Sequence, residues 1–65
     1  MAQVFMKRAE VVAMVGLGYS TIWRLERAGK FPARRKLTDY RVGWVRSEVE
    51  GWIQEREAVP QLLAA

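Results

Sequence analysis

Apolar residues recur at helical spacing in two neighbouring segments and predict a pair of helices around a glycine turn. The first helix is predicted over residues 7–15 and the second over residues 19–28. We expect Gly16 and Gly18 to supply the unusual backbone angles of the turn, with Gly18 also the N-cap of the second helix. Gly29 stands where a C-terminal left-handed residue belongs. The apolar stripes consist of Val11, Met14 and Val15 in the first helix and of Ile22 and Leu25 in the second.

Apolar stretches on both sides of a short polar link predict a β-hairpin within residues 31–45. The link lacks the Asn-Gly or Asp-Gly pair of a two-residue turn, so the pattern leaves its conformation open. In the first strand we expect Leu37 to face the core, which turns Arg34 and Lys36 outward. The same alternation points Arg35 inward, either at the sheet margin or at a twist in the strand.

A capping box predicts a third helix over residues 47–58, with Ser47 as N-cap and Glu50 at the third helical position. We interpret this helix as structural. Trp44 of the hairpin and Trp52 of this helix are both expected in the core.

The length of 65 residues predicts one domain with one small core, spanning residues 1–65. Residues 1–6 are predicted to form an extended lead-in. The apolar tail over residues 59–65 either frays or covers a neighbouring copy in an oligomer. Two helices around a glycine turn, a hairpin and a further helix together predict an α+β, mostly α, fold. This is the architecture of a small winged helix-turn-helix, with a two-stranded β-hairpin as the wing.

The composition excludes several kinds of chemistry. The chain has no cysteine and no histidine, which rules out disulfides, thiolate or imidazole catalysis and the common zinc sites. We therefore expect a protein that is not an enzyme and that holds no cofactor and no metal. The longest apolar run, over residues 11–15, is too short to span a membrane, and the N-terminus lacks a signal-peptide pattern. Both features favour a cytoplasmic protein with no membrane partner.

The positive charge is concentrated in the middle of the chain. The net charge is +4, but residues 24–46 alone hold eight basic and two acidic residues, a sum of +6, whereas residues 47–65 sum to −3. This asymmetry favours a polyanion that meets one side of the molecule, as in nucleic-acid-binding proteins. The alternative for charge alone is an ordinary solvated surface. Lys7 and Arg8, in the first helix, are likewise either surface charge or phosphate contacts.

The outer face of the second helix carries the side-chain types that a DNA major groove selects. Arg24 can bond in a bidentate manner to guanine, and Ser20 is an adaptable donor. Thr21 either joins Ser20 or points toward the first helix, and Trp23 either contacts DNA or lies at the edge of the core. Arg41 either reaches a phosphate or the minor groove, or is a solvated loop arginine. The predicted DNA-contact residues are Tyr19, Ser20, Thr21, Trp23, Arg24, Arg27, Arg34, Lys36, Tyr40 and Arg41.

Four short motifs resemble a known family. They are Gly16-Leu17-x-x-Ser20-Thr21-Ile22 followed by an aromatic residue, Arg24 and Leu25; Gly29-Lys30-Phe31-Pro32; Val42-Gly43-Trp44; and Ser47-Glu48-Val49-x-x-Trp52. Together they resemble the AlpA family of small prophage regulators, within the excisionase-like and MerR-like winged helix-turn-helix proteins. The resemblance implies sequence-specific binding to double-stranded DNA, with the second helix in the major groove. It also implies control of transcription or direction of site-specific recombination toward excision, with an integrase as a candidate partner.

Four features depart from the usual pattern of that family. Gly18 stands where the family often has serine, and Tyr19 where it often has a basic or polar residue. Arg35 replaces an apolar residue, and the wing tip over residues 38–40 is not glycine-rich. These departures suggest a divergent target site.

A single short recognition helix covers few base pairs. Specific binding then needs self-association or cooperative binding on repeated sites. Two alternatives stay open. One is a protein-interaction adaptor with a winged-helix fold, whose basic hairpin meets an acidic partner. The other is the DNA-recognition head of a phage packaging enzyme, which shares the fold but normally precedes a long coiled coil.

Overall fold

The computed structural model describes residues 4–58. It contains three helices and a three-stranded antiparallel sheet, the α+β architecture of a small winged helix-turn-helix, so the predicted fold class is confirmed. The expectation for the tail over residues 59–65 lies outside the described residues, as does the start of the lead-in. In chain order the elements are β1 (Phe5–Met6), α1 (Arg8–Val15), α2 (Tyr19–Arg27), β2 (Arg35–Lys36), β3 (Val42–Val45) and α3 (Arg46–Gln54).

The middle strand of the sheet is β3, with β1 on one side and β2 on the other. Both pairings are antiparallel. Met6 lies opposite Trp44, and Arg35 lies opposite Gly43. The hairpin of β2 and β3 is the predicted wing. The described part of the predicted extended lead-in is indeed extended and forms β1, but its pairing with β3 as a third strand was not predicted.

A tight turn that begins at Gly16 joins α1 to α2. Gly16 has a φ of 80° and a ψ of 15°, a left-handed conformation in which its N–H donates to the Val12 carbonyl. Gly18 is the N-cap of α2, as expected, but its φ of −67° and ψ of 156° are ordinary extended values. The expectation that Gly18 supplies an unusual backbone angle is wrong, because the left-handed Gly16 already reverses the chain.

The second helix ends in a Schellman motif. Gly29 has a φ of 75°, and its N–H donates to the Glu26 carbonyl. The next N–H, that of Lys30, donates to the Leu25 carbonyl at 2.8 Å. The indole N–H of Trp52 donates to the Lys30 carbonyl at 2.7 Å. The turn that leaves α2 is therefore fixed to α3 by a hydrogen bond.

One small core receives side chains from all three helices and from β1 and β3. Trp44 is 1% exposed, and its Nε1 finds no acceptor within residues 4–58, so it contributes by packing. Trp52 packs half-buried against the core, with its ring centre 4.8 Å from that of Phe31 in an edge-to-face arrangement. The expected core positions of both tryptophans are confirmed. The buried side chains are Met6, Val11, Ile22, Phe31, Trp44 and Val49.

The start of α3 differs from the prediction. The helix begins at Arg46, directly after β3, with Val45 as N-cap and no side-chain capping bond. Ser47 therefore lies inside the helix, and the predicted capping box with Glu50 is wrong. The Arg46 N–H donates to the Val4 carbonyl at 2.8 Å, so a bond to the neighbouring chain segment satisfies a donor at the helix start.

The end of α3 also differs, since the helix stops at Gln54 rather than at residue 58. The Arg56 Nε donates to the Trp52 carbonyl at 3.0 Å and satisfies one acceptor of the last turn. A carboxylate cap occurs instead at α1, where the Glu10 Oε1 accepts the Lys7 N–H at 2.8 Å.

Around the first strand of the wing, several side chains do not lie on the predicted face of the sheet. Leu37 is 40% exposed and packs across Gly43, where a Cβ would lie 3.0 Å from the Leu37 Cδ1. Arg34 points into the protein, and the exposed Arg35 forms an ion pair with Glu48 at 2.9 Å. The expected sides of Leu37, Arg34 and Arg35 are therefore wrong. Arg34 and Leu37 flank a strand of only two residues, so strand alternation does not govern them, whereas Arg35 lies in β2 itself, at the edge of the sheet, from which it reaches Glu48.

Because Gly16 is left-handed and Gly18 is extended, we expect the same substitution to have opposite effects at the two positions. Gly16→Ser forces a side chain into the left-handed region and is expected to lower the free energy of unfolding by about 1 kcal/mol. Gly18→Ser adds a capping hydroxyl at compatible angles and is expected to raise it by about 0.5 kcal/mol. Urea unfolding followed by tryptophan fluorescence measures both. Equal destabilisation by the two variants contradicts the described turn.

Candidate nucleic-acid interface

The outer face of α2 presents a hydroxyl, an indole and two guanidinium groups to solvent. Ser20, Arg24 and Arg27 are exposed, and Trp23 is 42% exposed, whereas Thr21 is half-buried. The Arg27 guanidinium lies 4.6 Å from the centre of the Trp23 ring. Within residues 4–58, neither arginine of this face forms an ion pair, so their charges are available to an anion.

The tip of the wing presents a second exposed group. Tyr40 is 96% exposed, and Arg41 is exposed with no ion pair in the described part of the chain. Lys36 lies 3.6 Å from Asp39, but both side chains are largely in solvent, where such a pair contributes little. The Thr38 Oγ1 accepts the Tyr40 N–H at 3.3 Å. A threonine hydroxyl therefore closes the tip in place of the glycines of the family pattern.

Arg34 lies inside the protein, between α2 and the sheet. Its Nε donates to the two oxygens of the Glu26 carboxylate at 3.0 and 3.2 Å, and its Nη2 donates to Oε1 at 3.1 Å. Its backbone N–H donates to the Glu26 Oε2 at 3.2 Å, and its Nη1 donates to the Tyr19 hydroxyl at 2.8 Å. The guanidinium also lies 4.9 Å from the centre of the buried Trp44 ring. The side chains of Arg34 and Glu26 are only 24% and 15% exposed.

The titration behaviour of this cluster follows from its contacts. The hydrogen bonds to Glu26 raise the pKa of Arg34 above its ordinary value, although partial burial opposes the shift. The hydrogen bond from Arg34 lowers the pKa of the Tyr19 phenol, and the charges of Arg34 and Arg8 add to the shift against an opposing desolvation. The Arg8 guanidinium lies 4.6 Å from the centre of the Tyr19 ring.

The predicted site residues thus separate into three places. Five of the ten lie on α2 beyond its first residue (Ser20, Thr21, Trp23, Arg24 and Arg27), and three lie on the wing (Lys36, Tyr40 and Arg41). The other two, Tyr19 and Arg34, form an internal hydrogen-bond network with Glu26. Sequence reasoning missed Glu26. The available signal was its isolation, because it is the only acidic residue between Glu10 and Asp39 in a strongly basic segment. Arg8, which is not among the predicted contact residues, also lies beside α2, with its guanidinium over the Tyr19 ring.

Within residues 4–58 there is no group of three or more side chains suited to hold a metal ion. No helix of that segment has the length and the apolar character needed to cross a membrane.

The three helices, the antiparallel sheet and the exposed basic face of α2 are those of a small winged helix-turn-helix protein. Residues 4–57 match the family described as prophage CP4-57 regulatory protein (AlpA), and the chain belongs to this AlpA family. The family resemblance inferred from the motifs is confirmed. AlpA proteins are prophage regulators rather than enzymes.

The chain is also similar to a phage protein. It is 41% identical over 54 residues to the uncharacterized protein ORF88 of Enterobacteria phage P4. The alignment covers 83% of this chain and 61% of the phage protein, so the chain spans about three fifths of the length of that relative.

The hydrogen bond from Arg34 predicts an altered titration of Tyr19. In a Tyr40→Phe background, which leaves one tyrosine, the Tyr19 phenol is expected to ionise at lower pH than an exposed tyrosine. Arg34→Gln in the same background is expected to raise that pKa, because it removes both the charge and the strongest donor. Ultraviolet absorbance titration measures both values. Identical curves for the two proteins contradict the described contact.

Proposed function

We propose that this protein binds double-stranded DNA with α2 in the major groove and with the hairpin of β2 and β3 as a wing. The observation that carries the proposal is the outer face of α2, whose two arginines have no ion pair among residues 4–58. A helix of nine residues has no structural need for such a face, and buried Ile22 on its other side fixes which face is outward. Membership of a prophage regulatory family supports the same assignment.

On this proposal the outer face of α2 and the tip of the wing have different tasks. Arg24 reads guanine with two hydrogen bonds, and Ser20 supplies an adaptable donor beside it. Arg27, stacked on Trp23, is held by that ring in a restricted set of conformations and meets a phosphate or a base edge. At the wing, contacts to phosphates or the minor groove come from Lys36, Tyr40 and Arg41.

The biological task that we propose is regulation of a phage or mobile element in the cytoplasm, through transcription, through excisive recombination or through both. Binding that bends DNA can serve both tasks, since each depends on the path of the duplex. One helix reads few base pairs, so we propose that several copies bind repeated sites, by self-association or cooperatively. An integrase is the partner expected if recombination is the task.

The first experiment is binding of the wild-type protein to random-sequence duplex DNA, followed by fluorescence anisotropy over a salt series. Affinity is expected to fall with salt with a slope of about 0.9 per phosphate contacted. A folded protein that fails to bind at low salt contradicts the proposal and favours an adaptor with an acidic protein partner.

The role of Arg24 is tested with a duplex that the wild-type protein selects from a randomised pool. Arg24→Ala is expected to weaken binding to this duplex by about tenfold or more, because one bidentate base contact is lost. Binding to random-sequence DNA should change much less. Arg56→Ala is the matched control, since Arg56 follows the end of α3 and lies against Trp52 of that helix. Equal losses in the two variants contradict base reading by Arg24.

A further inference from the structure

The contact between Glu26 and Arg34 joins the recognition helix to the segment that enters the wing. Three donors of Arg34, including its backbone N–H, converge on the Glu26 carboxylate. A bidentate pair of this kind fixes orientation as well as distance. Because the backbone N–H of Arg34 takes part, the carboxylate holds the chain itself and not only a flexible side chain.

The same guanidinium holds α2 at a second point. Tyr19 and Glu26 are seven residues apart, so they lie on one face of the helix about two turns, or roughly 10 Å, from each other. Arg34 donates to both, at 2.8 Å to the Tyr19 hydroxyl and at 3.0 Å to the Glu26 Oε2. Attachment at two points restrains both the tilt and the rotation of α2 about its axis. Contact with the Trp44 ring ties this arrangement to the central strand.

Simple electrostatics and this geometry predict opposite effects of Glu26 on DNA binding. A carboxylate on a helix that approaches phosphates should repel them, and its removal should then tighten binding. Glu26, however, is paired with Arg34, and neither charge faces solvent freely. Removal of the Glu26 carboxylate changes the formal charge by only one unit, but it also breaks the contact between α2 and the segment at Arg34 that enters the wing.

We propose that Glu26 and Arg34 are positioning residues, which hold α2 and the wing in the relative orientation needed for both to engage one DNA site. The inference rests on the proposed DNA-binding function. It means that Glu26, although acidic, strengthens binding to the specific site. It also means that Arg34 acts through α2 and not as a phosphate contact.

The test compares a duplex selected by the wild-type protein from a randomised pool with random-sequence duplex DNA. Glu26→Gln is expected to weaken binding to the selected duplex by about tenfold, the size of one lost base contact. The affinity for random-sequence DNA, and the slope with which that affinity falls with salt, should stay unchanged. Arg34→Lys, which keeps the charge but loses the bidentate geometry, is expected to give the same loss of discrimination.

Glu50→Gln is the matched control, because it removes the same charge from another ion pair, with Arg46 on α3 at 3.3 Å. It should leave the discrimination between the two duplexes unchanged. All binding is measured well below the thermal midpoint of each variant. Tyr19→Phe removes one hydroxyl only and supplies a milder change, expected to lower discrimination by about twofold to threefold.

The outcomes separate the two levels of the hypothesis. If wild-type protein binds neither duplex, the proposed function fails. If the wild type discriminates and Glu26→Gln binds the selected duplex as tightly or more tightly, the positioning role is overturned. A reduced salt slope for Arg34→Gln also overturns it, because that result identifies Arg34 as a phosphate contact.

Discussion

The burial of Trp44 in the central strand is the interaction on which the rest of the structure depends. A chain of this length can bury few side chains, and Trp44 is the largest of those that are fully buried among the described residues. Met6 of β1 lies opposite it on one side, and Arg34 stacks over its ring from the other. The strand that carries this ring thus pairs with β1, the residue that precedes β2 lies over the ring, and side chains of all three helices pack into the same core.

Around this small core, hydrogen bonds and an ion pair help to fix the position of α2, in addition to apolar packing. Tyr19 in the first turn of α2 and Glu26 in its last turn both accept hydrogen bonds from Arg34, which directly precedes β2. Beyond the helix end, the Lys30 carbonyl accepts the indole N–H of Trp52. Three attachments of this kind supplement the apolar packing of the helix, in which Ile22 is fully buried and Tyr19 and Leu25 are partly buried against the core.

The sequence predicted those parts of the fold that local rules govern. The stripes of α1 and α2, the left-handed Gly16 and the hairpin around Trp44 all follow from spacing within a few residues. Tertiary contacts decided the rest. A two-residue strand has no periodicity to detect, and the bond from Arg46 to Val4 overrode the local capping signal of Ser47. On α2 the exposed face followed from the helical period, whereas the inward turn of Arg34 depended on a carboxylate across a loop.

The side chains that face outward on α2 and those that hold α2 in place are separate sets. Ser20, Trp23 and Arg24 contribute nothing to the buried core or to the internal network, whereas Tyr19 and Glu26 are engaged in that network. Because the two sets are separate, the outward positions of α2 can be substituted while the contacts that hold the helix persist. Substitutions on this face can therefore alter what the surface of α2 presents without a loss of folding stability.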